Sequence, residues 1–265
     1  MELDLKGKVA IITGGSDGIG KATAIRLGQE GTNTVIMARR QDVLEKAASE
    51  IKEKSKAEVL TVVGDVTKKA DIERTINTAF SKFGRIDILV NKAGRSSANQ
   101  FENVEDSIWE NDLNLKLFAA IRFSRNVIPY MRKIGSGRII NVTAISGKTP
   151  GKSSLPTSVT RAAGIALTKA MSKDLAVYNI LVNTVCIGVI KSGQQSDGFT
   201  KQIETDKDLT IQEYYNQIAI NRAVPLGRVG ESEEAGDVIA FLASERASYL
   251  TGISINIDGG ISATT

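Results

Sequence analysis

The chain has 265 residues, 42% of them hydrophobic and 24% charged, enough for one large α/β domain with a substantial core. It has no histidine and one cysteine, Cys186, which excludes an intrachain disulfide, a His/Cys metal site and a histidine-based triad. The net charge of +4 comes from basic residues mixed with acids, as in Glu50-Ile51-Lys52-Glu53-Lys54-Ser55-Lys56, a solvated helix end rather than a nucleic-acid stripe.

The first element is a strand at Val9–Thr13, whose four successive apolar residues suit burial on both faces. Gly14-Gly15-Ser16-Asp17-Gly18-Ile19-Gly20 follows, and Lys21 to Gln29 then carries apolar residues at helical spacing. The glycines permit a tight bend and close backbone approach, and the helix N-terminus presents N–H groups, so this turn is built to hold a pyrophosphate. Further strands are predicted at Thr34–Ala38, Glu58–Val63, Ile86–Asn91, Gly137–Ala144, Ile180–Val185 and Gly252–Ile257, separated by segments long enough for crossover helices. That alternation predicts a Rossmann-like, doubly wound parallel sheet in a single domain covering residues 1–265. Residues 192 to about 223 interrupt it with a polar stretch before Tyr214-Tyr215, read either as an inserted lid or helical flap or as a plain surface insertion. No apolar run approaches the roughly 18 residues of a membrane span, and Met-Glu-Leu-Asp makes no leader segment, so a soluble cytoplasmic protein without a membrane partner is expected.

Several runs together resemble the short-chain dehydrogenase/reductase family, in particular its small 3-oxoacyl-carrier-protein reductases. They are the glycine-rich turn, Gly64-Asp65-Val66, Asp87-Ile88-Leu89-Val90-Asn91-Lys92-Ala93-Gly94, Asn114, Gly137-Arg138-Ile139-Ile140-Asn141-Val142, and the C-terminal segment from Pro225-Leu226-Gly227-Arg228 to Asp258-Gly259-Gly260. The resemblance implies a nicotinamide dinucleotide as cofactor. Gly14, Ser16, Ile19 and Gly20 would line its pyrophosphate, Asp65 and Val66 the adenine, Asn91, Ala93 and Gly94 the adenosine ribose, and Gly188, Ile190 and Ser192 the nicotinamide end. After the second strand an NAD enzyme would place an acid, whereas this chain reads Met37-Ala38-Arg39-Arg40, two guanidiniums suited to the extra phosphate of NADP. Asp17 stands where many NADP-preferring relatives carry a basic residue. The resemblance also implies a homotetramer acting on a small-molecule substrate.

At the catalytic positions the chain departs from the family. The family uses Ser, Tyr and Lys, the last two in the frame Tyr-x-x-x-Lys, with a structural Asn; here those positions read Ala144, Thr157, Arg161 and Asn114. Arg161, one helical turn from Thr157, still offers a cation to a ribose. Thr157 keeps a hydroxyl, but an aliphatic alcohol is a far weaker acid than a phenol. Alternative proton sources are water, Lys92 and the flap tyrosines Tyr214 and Tyr215, with Lys92 also readable as a cofactor contact; Thr143 is expected to face away from Ala144. Two functions stay open: an NADP-dependent oxidoreductase for a small carbonyl or alcohol with an atypical proton relay, and a nucleotide-binding relative that has lost catalysis and serves a structural or regulatory role.

Overall fold

The structure is a computed structural model, and it describes residues 2–55 and 57–265. Its strands are β1 (Val9–Thr13), β2 (Asn33–Ala38), β3 (Val59–Val63), β4 (Ile88–Asn91), β5 (Gly137–Ala144), β6 (Ile180–Ile187) and β7 (Ser254–Ile257). They form one parallel sheet in the order β3-β2-β1-β4-β5-β6-β7. β4 and β7 begin two residues later than the apolar pattern suggests, and β6 runs two residues further, to Ile187.

The period of two along β1 assigns its side chains to two cores. Ala10 and Ile12 join the cluster on one face with Leu27 of α1 (Gly18–Gln29), Leu44 and Ile51 of α2 (Gln41–Ser55) and Ile239 of α9 (Ser232–Ala243). Val9 and Ile11 join the other with Ile72 and Ile76 of α3 (Lys69–Phe83) and Phe123 and Val127 of α5 (Ala119–Ile134). Helices on both faces hide the whole of β1, which is why it reads as an unbroken apolar run rather than an alternating one. Leu27 and Phe123 are fully buried, and burial of side chains of this size stabilises by about 1.5–3 kcal/mol each.

Two features position the site. Strand order reverses between β1 and β4, and the glycine-rich turn opens at that switch point, where open α/β sheets form their ligand crevice. Between α4 (Asp106–Leu113) and α5 the chain makes one π-helical segment, Asn114–Phe118, which changes the direction in which its side chains project. Farther on, α6 (Thr157–Leu175) packs against β5 and β6. Residues 192–223 contain α7 (Gly193–Gln202) and α8 (Ile211–Asn221), which starts with a Thr210/Glu213 capping box. This pair is tied to the domain by a small apolar cluster of Tyr215, Ala219, Val224 and Val229. Among the described residues no helix is long and apolar enough to cross a membrane.

Candidate active site

At the carboxyl end of β1 the backbone N–H groups of Gly14 and Gly15 donate to Met37 O at 2.9 and 3.3 Å, closing the turn against the end of β2. Gly14 has φ +66°, and an added Cβ on Gly20 would lie 2.2 Å from Gly14 O, so both positions need glycine. The helix start at α1 carries no side-chain cap and no acid in its first turn, which leaves its N–H groups available to an anion. Ser16 and Asp17 are half-buried and Ile19 is buried. Asp17 is directed at the start of α7, since a Cβ on Gly193 would lie 1.8 Å from its Oδ2.

The other wall of the crevice is the β4 end. Thr13 Oγ1 accepts from the backbone N–H groups of Lys92 and Ala93 at 3.0 and 3.1 Å, and Asn91 Nδ2 donates to Asn141 Oδ1 at 2.9 Å. Asn141 donates on to Thr168, which pairs with Thr184 at 2.6 Å, so a satisfied polar ladder crosses β4, β5, α6 and β6. Asp65 accepts from the backbone and hydroxyl of Thr67 at 2.9 and 2.8 Å, and Val66 is buried beside it. Gly188 N donates to Ile257 O at 2.9 Å, Ile190 forms an isolated bridge with Gly230, and Ser192 stands at the start of α7. A cavity of about 220 Å³ between Gly18, Lys21, Ser192, Gly193 and Ser232 adjoins the turn.

Arg39 and Arg40 are exposed just past β2, and neither guanidinium bonds to any described residue. Arg161 Nη1 donates to Val142 O at 2.9 Å, while its buried Nε has no partner. The fit to a phosphorylated dinucleotide is therefore good: a glycine cradle, an uncapped helix start, two free guanidiniums with no acid at the end of β2, and an orphaned buried donor on Arg161.

The residues expected at the catalytic positions have partners that the sequence reading did not give them. Ala144 ends β5, half-buried and without a hydroxyl. Asn114 does not reach Thr157: its Oδ1 accepts from Arg122 Nη1 at 2.6 Å. The side chain that meets Thr157 is Lys116, two residues on, whose Nζ donates to Thr157 Oγ1 at 3.1 Å and pairs with Asp112. Asn114 and Lys116, two residues apart, face different sides of the helical stretch as i, i+2 spacing requires, and only the packing shows that the side facing Thr157 is that of Lys116. Its one available signal was the i, i+4 spacing from Asp112. Arg161 lies close to Lys116: a Cβ on Gly94 would be 3.2 Å from Arg161 Nη2 and 3.3 Å from Lys116 Cγ. Burial pulls the Lys116 ammonium down to about 8, against the Asp112 hydrogen bond and with help from the Arg161 charge.

The other candidate proton sources are engaged elsewhere. Lys92 Nζ donates to Gly14 O and Asp17 O at 3.3 and 3.2 Å, a brace across the phosphate turn, and burial lowers its ammonium from the usual lysine value. Tyr214 stacks between Phe199 and Tyr215 at 5.5 and 5.6 Å, with its phenol pushed up by burial. Neither tyrosine bonds to Thr157 or Arg161. Thr143 Oγ1 contacts Val185 O and Cys186 Sγ at 3.3 and 3.2 Å, committed to β6.

The sequence profile for short chain dehydrogenases matches residues 8–202. The 3-oxoacyl-[acyl-carrier-protein] reductase FabG of Thermotoga maritima is 36% identical over 262 residues, covering 97% of this chain and 98% of that protein. L-sorbose reductase from Gluconobacter frateurii, solved with NADPH and L-sorbose, superposes with a TM-score of 0.94 at 33% identity over 100% of both chains. An NADPH-bound short chain oxidoreductase from Pseudomonas aeruginosa, described as containing an atypical catalytic center, superposes at 0.90 with 31% identity over 97% of this chain and 98% of the other. With a profile match over most of its length and relatives alike from end to end, the chain belongs to the short-chain dehydrogenase family.

Proposed function

We propose that the protein is an NADPH-dependent oxidoreductase that reduces a small carbonyl compound, or oxidises the corresponding alcohol, with a proton supply other than the family's tyrosine. The observation that carries this reading is the Thr157 hydroxyl held by Lys116 beside Arg161, at the crevice that the glycine-rich turn opens. Gly14, Ser16, Ile19 and Gly20 would hold the pyrophosphate, Asp65 and Val66 the adenine, Asn91, Ala93 and Gly94 the adenosine ribose, and Gly188, Ile190 and Ser192 the nicotinamide end. Arg39 and Arg40 would take the 2′-phosphate, and Arg161 would offer its free Nε to the nicotinamide ribose. When bound, the reduced dinucleotide supplies a hydride equivalent to the substrate carbon.

The chain's own part is positioning and proton delivery. Thr157 presents a hydroxyl, while Arg161 and Lys116 stabilise negative charge that develops on the substrate oxygen. Ala144 removes the hydroxyl that polarises the carbonyl in relatives, and the loss of one such donor lowers the rate by roughly 10²–10³. A slow enzyme follows. The relatives are named for a ketose and for a 3-oxoacyl thioester, so both classes belong in the substrate panel. A homotetramer is proposed as well, supported by the exposed apolar side chains Phe118, Val159 and Tyr249.

The test is NADPH oxidation with a panel of ketoses, 3-oxoacyl thioesters and simple ketones. Turnover with any of them that disappears in Arg161→Ala supports the reading. NADPH binding with no turnover on any substrate, together with activity gained by the triple change A144S/T157Y/R161K, would establish instead a binding protein that has lost catalysis.

A further inference from the structure

Thr157 is half of an arrangement that the family pattern does not contain. A hydroxyl has two acceptor sites and one proton to give. Both acceptor sites of Thr157 Oγ1 are taken, by Lys116 Nζ at 3.1 Å and by the backbone N–H of Ser97 at 2.9 Å. The hydroxyl donates to no described residue, so its proton can be given to a bound substrate. Behind it Lys116 and Asp112 are sealed in: their side chains are 2% and 0% exposed.

We infer that Lys116 is the proton source of this enzyme, and that the Thr157 hydroxyl passes its own proton to the substrate oxygen while taking one from Lys116 Nζ. The inference rests on the oxidoreductase reading above. It removes the objection to threonine as an acid. A lone aliphatic hydroxyl would have to end as an alkoxide, whereas a relaying hydroxyl starts and ends as an alcohol and needs only the right geometry.

The step balances. The carbonyl carbon gains a hydride, with its electron pair, from the reduced nicotinamide, which is thereby oxidised. The carbonyl oxygen gains the Thr157 Oγ proton as that O–H bond breaks, and a new O–H bond forms at Oγ with the proton leaving Lys116 Nζ. Lys116 ends neutral and Asp112 remains a carboxylate; when product leaves, water gives a proton to Thr157 Oγ as Oγ passes its own back to Lys116 Nζ, which restores the ammonium. Alcohol oxidation runs the same path backwards, with neutral Lys116 as the base.

Electrostatics supports the role. Lys116 is held at about 8, where an ammonium is still protonated near neutrality yet far more acidic than an exposed lysine. The charged groups facing it are Asp112 from α4 and Arg161 from α6; Arg122 on α5 is turned to Asn114 and Thr67. Asp112 is a positioning residue. It keeps the ammonium aimed at Thr157 and prevents burial from discharging it entirely, and its second oxygen, Oδ2, has no other partner.

The experiment compares wild type with K116M, K116R, T157V, T157S and the charge-neutral double variant D112N/K116M, which keeps the comparison valid if K116M alone fails to fold around an unpaired Asp112. Reduction rate at saturating NADPH is measured across pH, with calorimetric NADPH affinity and a [13C]lysine NMR titration as readouts that need no turnover. Expected are a wild-type rate that falls as pH rises through about 8, a loss of about 10²–10⁴-fold in K116M, D112N/K116M and T157V, and disappearance of the limb near 8 in both Lys116 variants. K116R, which keeps charge but cannot release a proton, stays impaired, and T157S restores most of the rate. One lysine resonance titrates near 8 and is missing in K116M. An active wild type whose K116M form keeps the same rate and pH profile, or a Lys116 resonance titrating with the surface lysines, would overturn the relay alone. A wild type that binds NADPH but turns over no substrate would overturn the oxidoreductase reading beneath it.

Discussion

Removing Arg39 and Arg40 tests the cofactor assignment most directly. β2 ends at Ala38, and Met37 O accepts the Gly14 and Gly15 N–H groups at 2.9 and 3.3 Å, so the two arginines flank the phosphate turn. Neither side chain has a partner among the described residues, so substitution disturbs binding rather than folding. A hydrogen bond to a charged group contributes about 1.5–3 kcal/mol, or roughly 10- to 100-fold in affinity; exposure and salt screening place each arginine at the lower end. R39A and R40A should each weaken NADPH by about tenfold, and the double variant by more, while NADH, which lacks the 2′-phosphate, is unaffected. Calorimetric titration of the four proteins with both dinucleotides at two salt concentrations measures this. The NADPH advantage of wild type should shrink with added salt and vanish in the double variant. A double variant with an unchanged NADPH-to-NADH ratio would refute the assignment.

Lys116 makes stability depend on pH in a defined window. Its folded value of about 8 lies below the ordinary 10.5, so the unfolded chain binds more protons between them and stability rises with pH across that range, by about 3 kcal/mol from this group; denaturant titrations at both ends should show the rise in wild type and a flatter response in D112N/K116M. Lys92→Met removes the brace on Gly14 O and Asp17 O and should weaken NADPH binding several-fold, read by calorimetry, with little change in melting temperature. Gly20→Ala places a methyl 2.2 Å from Gly14 O and should abolish cofactor binding while the protein still folds, as circular dichroism would report. Asp87→Ala strips the acceptor from the Val9 N–H and from Arg85, at 2.9 and 2.8 Å, and should cost about 1–3 kcal/mol in chemical denaturation, because a buried donor is left unmet.

The fold was legible because parallel strands buried on both faces leave continuous apolar runs, and because Gly14 and Gly20 mark a turn that only glycine can make. Strand ends were less so: β4 and β7 begin where pairing with neighbours begins, at Ile88 and Ser254, a matter of register rather than composition. At the site, the frame Thr157-x-x-x-Arg161 puts both residues beside Lys116, while the Thr143 hydroxyl is committed to Val185 O and Cys186 Sγ of β6. Asn114 and Lys116 show where linear reading stops. They stand two residues apart on one helical stretch and far from Thr157 in the chain, yet Arg122 holds one and Thr157 meets the other. Lys92 likewise acquired its contacts from neighbours distant in the chain, Gly14 and Asp17.

What the sequence determined by itself is thus the sheet, the phosphate turn, the paired arginines after β2 and the presence of Ala144, Thr157 and Arg161 where the family resemblance expects serine, tyrosine and lysine, since each depends on residue type and local period alone. What the tertiary structure decided is which cation serves the remaining hydroxyl. That choice depends on which side of the Asn114–Phe118 stretch faces α6 and on α4, α6 and Gly94 closing around Lys116, and the burial that lowers its ammonium exists only once those elements have packed.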